Sequence, residues 1–561
     1  MRMPSCTIWK QRMIPLVLGG VIGLLIFTRA AAQEDPAQAA LHNRIEQLRT
    51  AGRLSIGDTD IAAVKVLPEF YRQRNFHRAW TNPATVNDLL RAIDDSETDG
   101  LMPQDYHRES LHRLQYQIGA APSPSPQQLA DLDLLLTDAF LRLGYHMLFG
   151  KVDPEQLDPN WNLARDLDHL DPVLALQDAI DSSAPYQFIA SLKPQTRYYT
   201  TLKEILMHYR RIASSGGWPT IPAGATLRQG MTDARIPLLR QRLAVTGDLP
   251  EVAVTNSALF DELLVEAVSR FQRRHHLAAD GVVGTGTLRA LNVPVETRID
   301  QIRVNLERGR WVLHDLEDTF LIVNIAGFFV AYVKDRAVLW QSRVQVGKPY
   351  RKTPVFKAEM KYLVFNPTWT VPPTILAQDL LPAVKRNPTY LKDKNIHVLD
   401  PDGNVVDQST LDWSTYTARN FPYMLRQDPG ANNALGVVKF IFPNKHLVFL
   451  HDTPSKSLFE KETRTFSSGC IRVEEPLALA ELLLDDPATW NRARIAEVIQ
   501  SQKTKTVYLR QPLPVLLLYW TAMVETDDQV HFMPDVYGRD AAILENLSAA
   551  FRLRQRDVKR P

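Results

Sequence analysis

The apolar pattern changes period once along this 561-residue chain, and that single change excludes a uniform fold. From about His42 to Leu313 apolar residues recur at helical spacing, whereas from about Thr319 short runs of β-branched and aromatic residues alternate with glycine or charged turns. The length exceeds one ordinary hydrophobic core, so two to four domains are expected. The fold class predicted is multidomain α+β, with helical units first and a predominantly β unit after them.

Residues 42–218 read as one helical domain, with segments such as Leu89–Ile93 and Leu132–Phe140 between turns containing Pro and Asp. No catalytic spacing stands out there, and Ser214–Pro219 has the composition of a linker. Residues 230–293 form a different unit. One amphipathic helix covers Ile236–Leu243, a second runs from Leu263 through Phe271 to His276, and the turn Asp280–Gly284 precedes a third at Thr287–Leu291. The adjacent His275 and His276 lack further ligands nearby in sequence, so they are expected to be exposed helix residues and no metal site is predicted. A connecting helix follows at about Ile302–Leu313.

Strands are predicted at Phe320–Asn324, Phe328–Tyr332, Val338–Val346, Lys361–Phe365 and Lys439–Phe442, within a β domain spanning 319–510. The polar stretch 369–433, with Pro372-Pro373 and a helical Ile375–Val384, is too long for a simple loop and reads as an inserted unit or lid. Its Trp369 and Tyr423 are expected in a core, with no catalytic role. The apolar run Leu513–Val524 contains Pro514 and is too short to span a bilayer, so it reads as a buried segment in a C-terminal extension, 511–561.

At the N-terminus, Arg2, Lys10 and Arg12 precede the apolar Met13–Phe27, and Ala30-Ala31-Ala32 offers a small-residue cleavage site. Residues 1–32 are therefore expected to be a secretory signal, the alternative being an uncleaved anchor. The whole-chain charge is +2, and removing residues 1–32 takes four basic side chains and no acidic ones, leaving −2. Near-neutrality argues against a nucleic-acid binder or a polybasic membrane protein.

Without that segment Cys470 is the only cysteine. An unpaired thiol in an exported chain is a liability unless its chemistry is used. It lies in Phe466-Ser467-Ser468-Gly469-Cys470-Ile471-Arg472-Val473, with His451 nineteen residues upstream at the end of the apolar run Leu447–Leu450, read as a buried strand. Glu474-Glu475-Pro476 opens an apolar helical stretch, so Cys470 is expected just before the positive end of a helix that would favour its thiolate. Cys470 is the candidate nucleophile and His451 its proton carrier. The backbone N–H groups of Ser468, Gly469 and Cys470 are candidate oxyanion donors, and Arg472 is left open between a substrate carboxylate and a structural ion pair.

These residues resemble the L,D-transpeptidase catalytic domain of the YkuD type, whose pattern is a histidine, a variable stretch, then Ser/Thr-X-Gly-Cys-apolar-Arg. His451-Asp452 and Ser467-Ser468-Gly469-Cys470 depart from the common His-Gly and Ser-His-Gly-Cys forms and resemble a large Gram-negative branch. Phe70–Phe76 and Lys151–Pro154 resemble the scaffold domain of that branch, and the Phe-Gln-Arg-Arg and Asp-Gly-Val-Val-Gly signatures resemble a three-helix peptidoglycan-binding module. The resemblance implies that 369–433 is a capping subdomain. It also implies 3→3 cross-linking of peptidoglycan from tetrapeptide donor stems through a cysteine acyl-enzyme, in the periplasm or facing it from the inner membrane. The partners implied are stem peptides, glycan strands and other cell-wall enzymes, with no nucleic acid, no metal and no cofactor. An L,D-carboxypeptidase and a noncatalytic wall-binding scaffold remain the alternatives.

Overall fold

The computed structural model describes residues 35–159, 161–163, 171–525 and 528–551. The expected signal, 1–32, lies outside them. Among the described residues no helix is long and apolar enough to cross a membrane.

The N-terminal region is helical and the C-terminal region is built on a large β-sheet, so the chain is a multidomain α+β protein. The longest scaffold helix, α1 (Pro126–Phe149), starts at a capping box in which Ser125 and Gln128 satisfy each other's backbone N–H groups. Its buried Asp133 accepts from the backbone N–H groups of Ala79 and Trp80 at 2.9 Å each and from the Tyr71 hydroxyl at 2.8 Å. A buried carboxylate is tolerable when its lone pairs are filled in this way.

Helix α2 (Arg197–Ser214), which the sequence pattern assigns to the scaffold, buries Leu202, Leu206 and Tyr209 in the same apolar cluster as the β domain. In the three-helix unit, α3 (Glu262–Arg274) ends earlier than predicted. His275 is buried, stacked on Phe271 with centroids 3.8 Å apart, and His276 is partly buried, so neither is an exposed helix residue. The misreading has a physical cause: these side chains pack against a strand more than 250 residues downstream, which local periodicity cannot reveal.

Helix α4 (Val295–Val312) starts seven residues before the predicted position and joins the two large cores. Ile302 and Leu306 enter the β-domain cluster, whereas Val304 and Trp311 enter the scaffold cluster. Its Glu307 accepts from the Val152 N–H at 2.6 Å, and the Trp311 indole donates to the Val152 carbonyl at 3.0 Å.

Nine strands form the main sheet: β1 (Phe320–Asn324), β2 (Phe329–Lys334), β3 (Ala337–Gly347), β4 (Phe356–Phe365), β5 (Val438–Ile441), β6 (Leu450–His451), β7 (Thr465–Ser467), β8 (Ile471–Val473) and β9 (Lys505–Leu518). Their order is β7-β3-β8-β6-β5-β4-β9-β1-β2, and β2 also pairs with β3. The long β3 gives its first part to β2 and its last part to β8, which closes eight strands into a ring. Strand β9 runs unbroken through the boundary expected at residues 510 and 511, with a register shift between Tyr508 and Leu513 that accommodates the prolines of that stretch. Beyond β9 the chain returns to the scaffold, where Ile543 and Leu547 join its core.

Within 369–433, Trp369–Thr370, Met424–Gln427, Ile396–Leu399 and Val405–Val406 make a separate four-stranded sheet. It has its own apolar cluster around Leu381, Val384, Leu391 and Trp413, against which Trp369 and Tyr423 pack.

Gly150 tests the scaffold-to-α4 joint. Its φ is +83°, and a Cβ there would lie 2.6 Å from both Glu307 Oε1 and Trp311 Nε1. Gly150→Ala should cost about 2 kcal/mol or more and lower the first calorimetric unfolding transition by several degrees. An unchanged thermogram would show that this joint yields.

Candidate active site

The site is set by one short parallel pairing. Strands β6 and β8 align Leu450 with Ile471 and His451 with Arg472, and the Ile471 N–H donates to the Phe449 carbonyl at 3.0 Å. Residues paired across parallel strands share a face, so His451 and Arg472 point to one side, while Cys470, which immediately precedes β8, directs its thiol to the Leu447 carbonyl at 3.8 Å. Ideal strand spacing and rise would separate the Cα atoms of Cys470 and His451 by about 8 Å. The same row continues on both sides. Lys439 of β5 lies opposite His451, and Gln345 of β3 lies opposite Arg472.

The His451 Nδ1 is hydrogen-bonded to the Asp452 carbonyl, which can only accept, so Nδ1 carries the proton and Nε2 keeps its lone pair. Burial, then the charges of Arg472 and Lys439, pull the imidazole pKa down to about 3, against the opposing pull of backbone hydrogen bonds to Asp452 and Leu435. His451 is therefore neutral at physiological pH. Asp452, which replaces a glycine common in the resembling family, has a structural task. Its carboxylate accepts from the Val437 N–H at 2.9 Å and pairs with Lys456 at 2.6 Å. Gly436, with φ +60°, lets that carboxylate approach, because a Cβ would fall 2.3 Å from Asp452 Oδ2.

Cys470 is half-buried. Burial pushes its thiol pKa up, while a backbone hydrogen bond from Phe449 and the charges of Lys439 and Arg472 pull it down. The expected helix terminus does not reach the cysteine. Strand β8 intervenes, and helix α5 (Pro476–Leu484) begins six residues after the cysteine, at the far end of that strand. The predicted strand Leu447–Leu450 is also shorter than expected, because Leu447 is exposed with φ +54° and pairing starts at Leu450.

The loop that leads into Cys470 is braced from two distant segments. Thr353 Oγ1 donates to the Gly469 carbonyl at 2.8 Å, and the Tyr537 hydroxyl accepts from the Thr353 N–H at 3.2 Å while donating to the Gly347 carbonyl at 2.6 Å. The Gly469 N–H donates to Ser467 Oγ at 3.1 Å, so it is already engaged and does not face an oxyanion in this arrangement. Ser468 is exposed, and its hydroxyl accepts from Arg351 at 2.7 Å. Arg351 also pairs with Asp379 at 2.6 Å and donates to Gln378, tying the inserted segment to the loop before Cys470. Arg472 donates to the neutral Gln345 side chain at 3.1 Å, and no ion pair to a carboxylate accompanies it among the described residues.

Lys439, Gln345, Thr353 and Tyr537 were not singled out from sequence. The signal available for Lys439 was its position as the lone charge within Val437–Phe442. It is half-buried, sits 4.0 Å from the Phe449 ring centroid, and burial lowers its pKa while the charge of Cys470 raises it.

Comparison with known proteins agrees with this architecture. Residues 318–505 match the YkuD "L,D-transpeptidase catalytic domain" family, residues 65–206 a "Scaffold domain" and residues 232–291 a "Putative peptidoglycan binding domain". A Haemophilus influenzae protein named "Putative L,D-transpeptidase" is 39% identical over 249 residues, covering 44% of this chain. The chain spans about half the length of that curated relative, 50%. Two solved structures also align. The L,D-transpeptidase of Xylanimonas cellulosilytica DSM 15894 shares 14% identity over 53% of this chain and 99% of its own, with TM-score 0.16. That of Stackebrandtia nassauensis shares 12% identity over 54% and 96%, with TM-score 0.21. Scores this low carry no structural argument.

Lys439→Met keeps the length and apolar stem of the lysine and removes its charge. Alkylation of Cys470 by iodoacetamide at pH 8 should slow roughly three- to tenfold, with the rate–pH profile displaced to higher pH. Lys439→Arg should restore most of the rate. Identical profiles for all three proteins would remove Lys439 from the electrostatics of the thiol.

Proposed function

Carrying an L,D-transpeptidase catalytic domain of the YkuD family at residues 318–505, the chain is, we propose, a peptidoglycan L,D-transpeptidase that forms 3→3 cross-links through an acyl-enzyme on Cys470. The observation that supports this reading is the β6–β8 register, which pairs His451 with Arg472, two residues after Cys470.

In the proposed first half-reaction the Cys470 thiol gives its proton to His451 Nε2 as sulfur attacks the carbonyl of the third residue of a tetrapeptide stem. The tetrahedral intermediate collapses to a thioester, and the departing D-alanine amine takes the proton from His451. In the second half-reaction a side-chain amine of a neighbouring stem loses a proton to His451 and attacks the thioester. The amide forms, the C–S bond breaks, and the thiolate recovers the proton. A neutral histidine suits the acceptance step in both halves. With the Gly469 amide engaged, the backbone N–H groups of Ser468 and Cys470 remain the candidates for the oxyanion. Arg472, bonded only to a neutral amide, suits a carboxylate of the diamino-acid residue better than a structural ion pair.

The match of residues 232–291 to a peptidoglycan-binding family supports glycan strands and stem peptides as partners. The basic and apolar N-terminal pattern supports export to the periplasm, with an inner-membrane anchor as the alternative.

Intact-protein mass spectrometry separates the two half-reactions. A tetrapeptide stem alone should leave a tripeptide-sized adduct on Cys470, absent from Cys470→Ala, and an added diamino-acid amine should discharge it as a 3→3 dimer. Trimming of tetrapeptide to tripeptide with abundant amine and no dimer would make the protein an L,D-carboxypeptidase. No adduct and no turnover would leave a wall-binding scaffold.

A further inference from the structure

The three-helix unit meets the end of the β domain through an unusual constellation. Helix α3 closes with the Leu277 N–H donating to the Gln272 carbonyl at 2.9 Å, which places His276 at the left-handed position with φ +52°. Glycine or asparagine ordinarily occupies that position, and histidine there is strained by about 1 kcal/mol. Its Nε2 is buried and makes no hydrogen bond among the described residues. An imidazole nitrogen held out of water without a partner is costly unless something else uses its lone pair.

Two further groups converge on it from the hairpin formed by Ala522–Val524 and Val530–Phe532. His531 lies within the second strand, and Glu525 directly follows the first. The His531 Nδ1 and Glu525 Oε1 are 3.4 Å apart, and the His276 and His531 rings meet edge-on with centroids 6.2 Å apart. One ligand atom from each of the three residues lies within 4.8 Å of the others. A tetrahedral zinc ion with bonds of about 2.0–2.1 Å needs ligand atoms about 3.4 Å apart. The histidine–carboxylate edge already has that length, and the other separations are no more than 4.8 Å.

We propose that His276, Glu525 and His531 form a divalent transition-metal site, with zinc as its natural occupant, that staples the three-helix unit to the β-domain hairpin. Two imidazoles and one carboxylate suit zinc better than calcium or magnesium, which take oxygen ligands. Neutral imidazole is the form that binds a metal. Arg464 opposes a cation there, and the Glu525 carboxylate offsets it. The surrounding contacts form a joint worth locking: His275 stacks on Phe532 with centroids 5.6 Å apart, Arg274 donates to the Val530 carbonyl at 3.1 Å, and the Ala278 N–H donates to Glu462 at 2.9 Å.

The test uses the full chain carrying Cys470→Ser, so that the thiol cannot compete, with any purification tag removed. Zinc chloride titrated calorimetrically at pH 7 should bind once per chain with micromolar or tighter Kd, and excess zinc should raise the Tm by several degrees. His276→Asn retains a residue suited to the left-handed backbone. It should lose at least tenfold in affinity and most of the zinc-dependent Tm rise while its metal-free Tm stays within about 1 °C. Should that variant lose metal-free stability, Glu525→Gln provides the decision, because it keeps shape and should still lose at least tenfold in affinity. Absence of stoichiometric binding at millimolar zinc, or undiminished affinity in Glu525→Gln, overturns the proposal.

Discussion

Two residue pairs between β6 and β8 determine where everything else in the catalytic region must sit. The pairing is parallel, so β6 and β8 must be joined by a crossover, and residues 452–470 supply it while carrying the proposed nucleophile, Cys470, at their last position. A slip of one residue would turn His451 away from Arg472. The strands are too short to hold that register alone. The closed ring of eight strands, Asp452 pinning the start of β5, and the Thr353–Tyr537 brace behind Gly469 hold it for them.

The row Gln345, Arg472, His451 and Lys439 then explains the electrostatics. Burial disfavours charge on both the thiol and the imidazole, so an imidazolium–thiolate pair is not the resting state of this geometry. Two flanking cations favour negative charge at Cys470 and disfavour positive charge on His451. The result is a neutral pair in which the thiolate is stabilised as it forms, with cationic side chains left over for an anionic substrate group. The inserted segment reaches this row through Arg351, which holds Asp379 and Ser468 together.

The parts legible in sequence were those whose chemistry is local. Cys470 was visible as a lone thiol within its motif, His451 as a polar residue ending an apolar run, and the change from helices to strands as a change of period. The less legible parts depend on tertiary register. Lys439 lies opposite His451 only because β5 and β6 are antiparallel, and the spacing of twelve residues between them has no signature. The helix-terminus effect expected at Cys470 failed because three apolar or basic residues after it extend as a strand first. His275 and His276 looked exposed because the hairpin that covers them begins at Ala522. The boundary expected at residue 510 cuts β9, whose two halves face the same partner strand across a bulge.

The protonation state of His451 tests the central claim most directly. In protein labelled with 15N-histidine, a His451→Gln comparison identifies its two ring resonances, and their shifts are followed from pH 8 to pH 4.5. The geometry predicts a neutral ring with the proton on Nδ1 across that entire range, because burial and the Arg472 charge depress its pKa to about 3. An imidazolium signal at pH 6–7 in the resting enzyme would contradict the neutral pair and the role of the flanking cations.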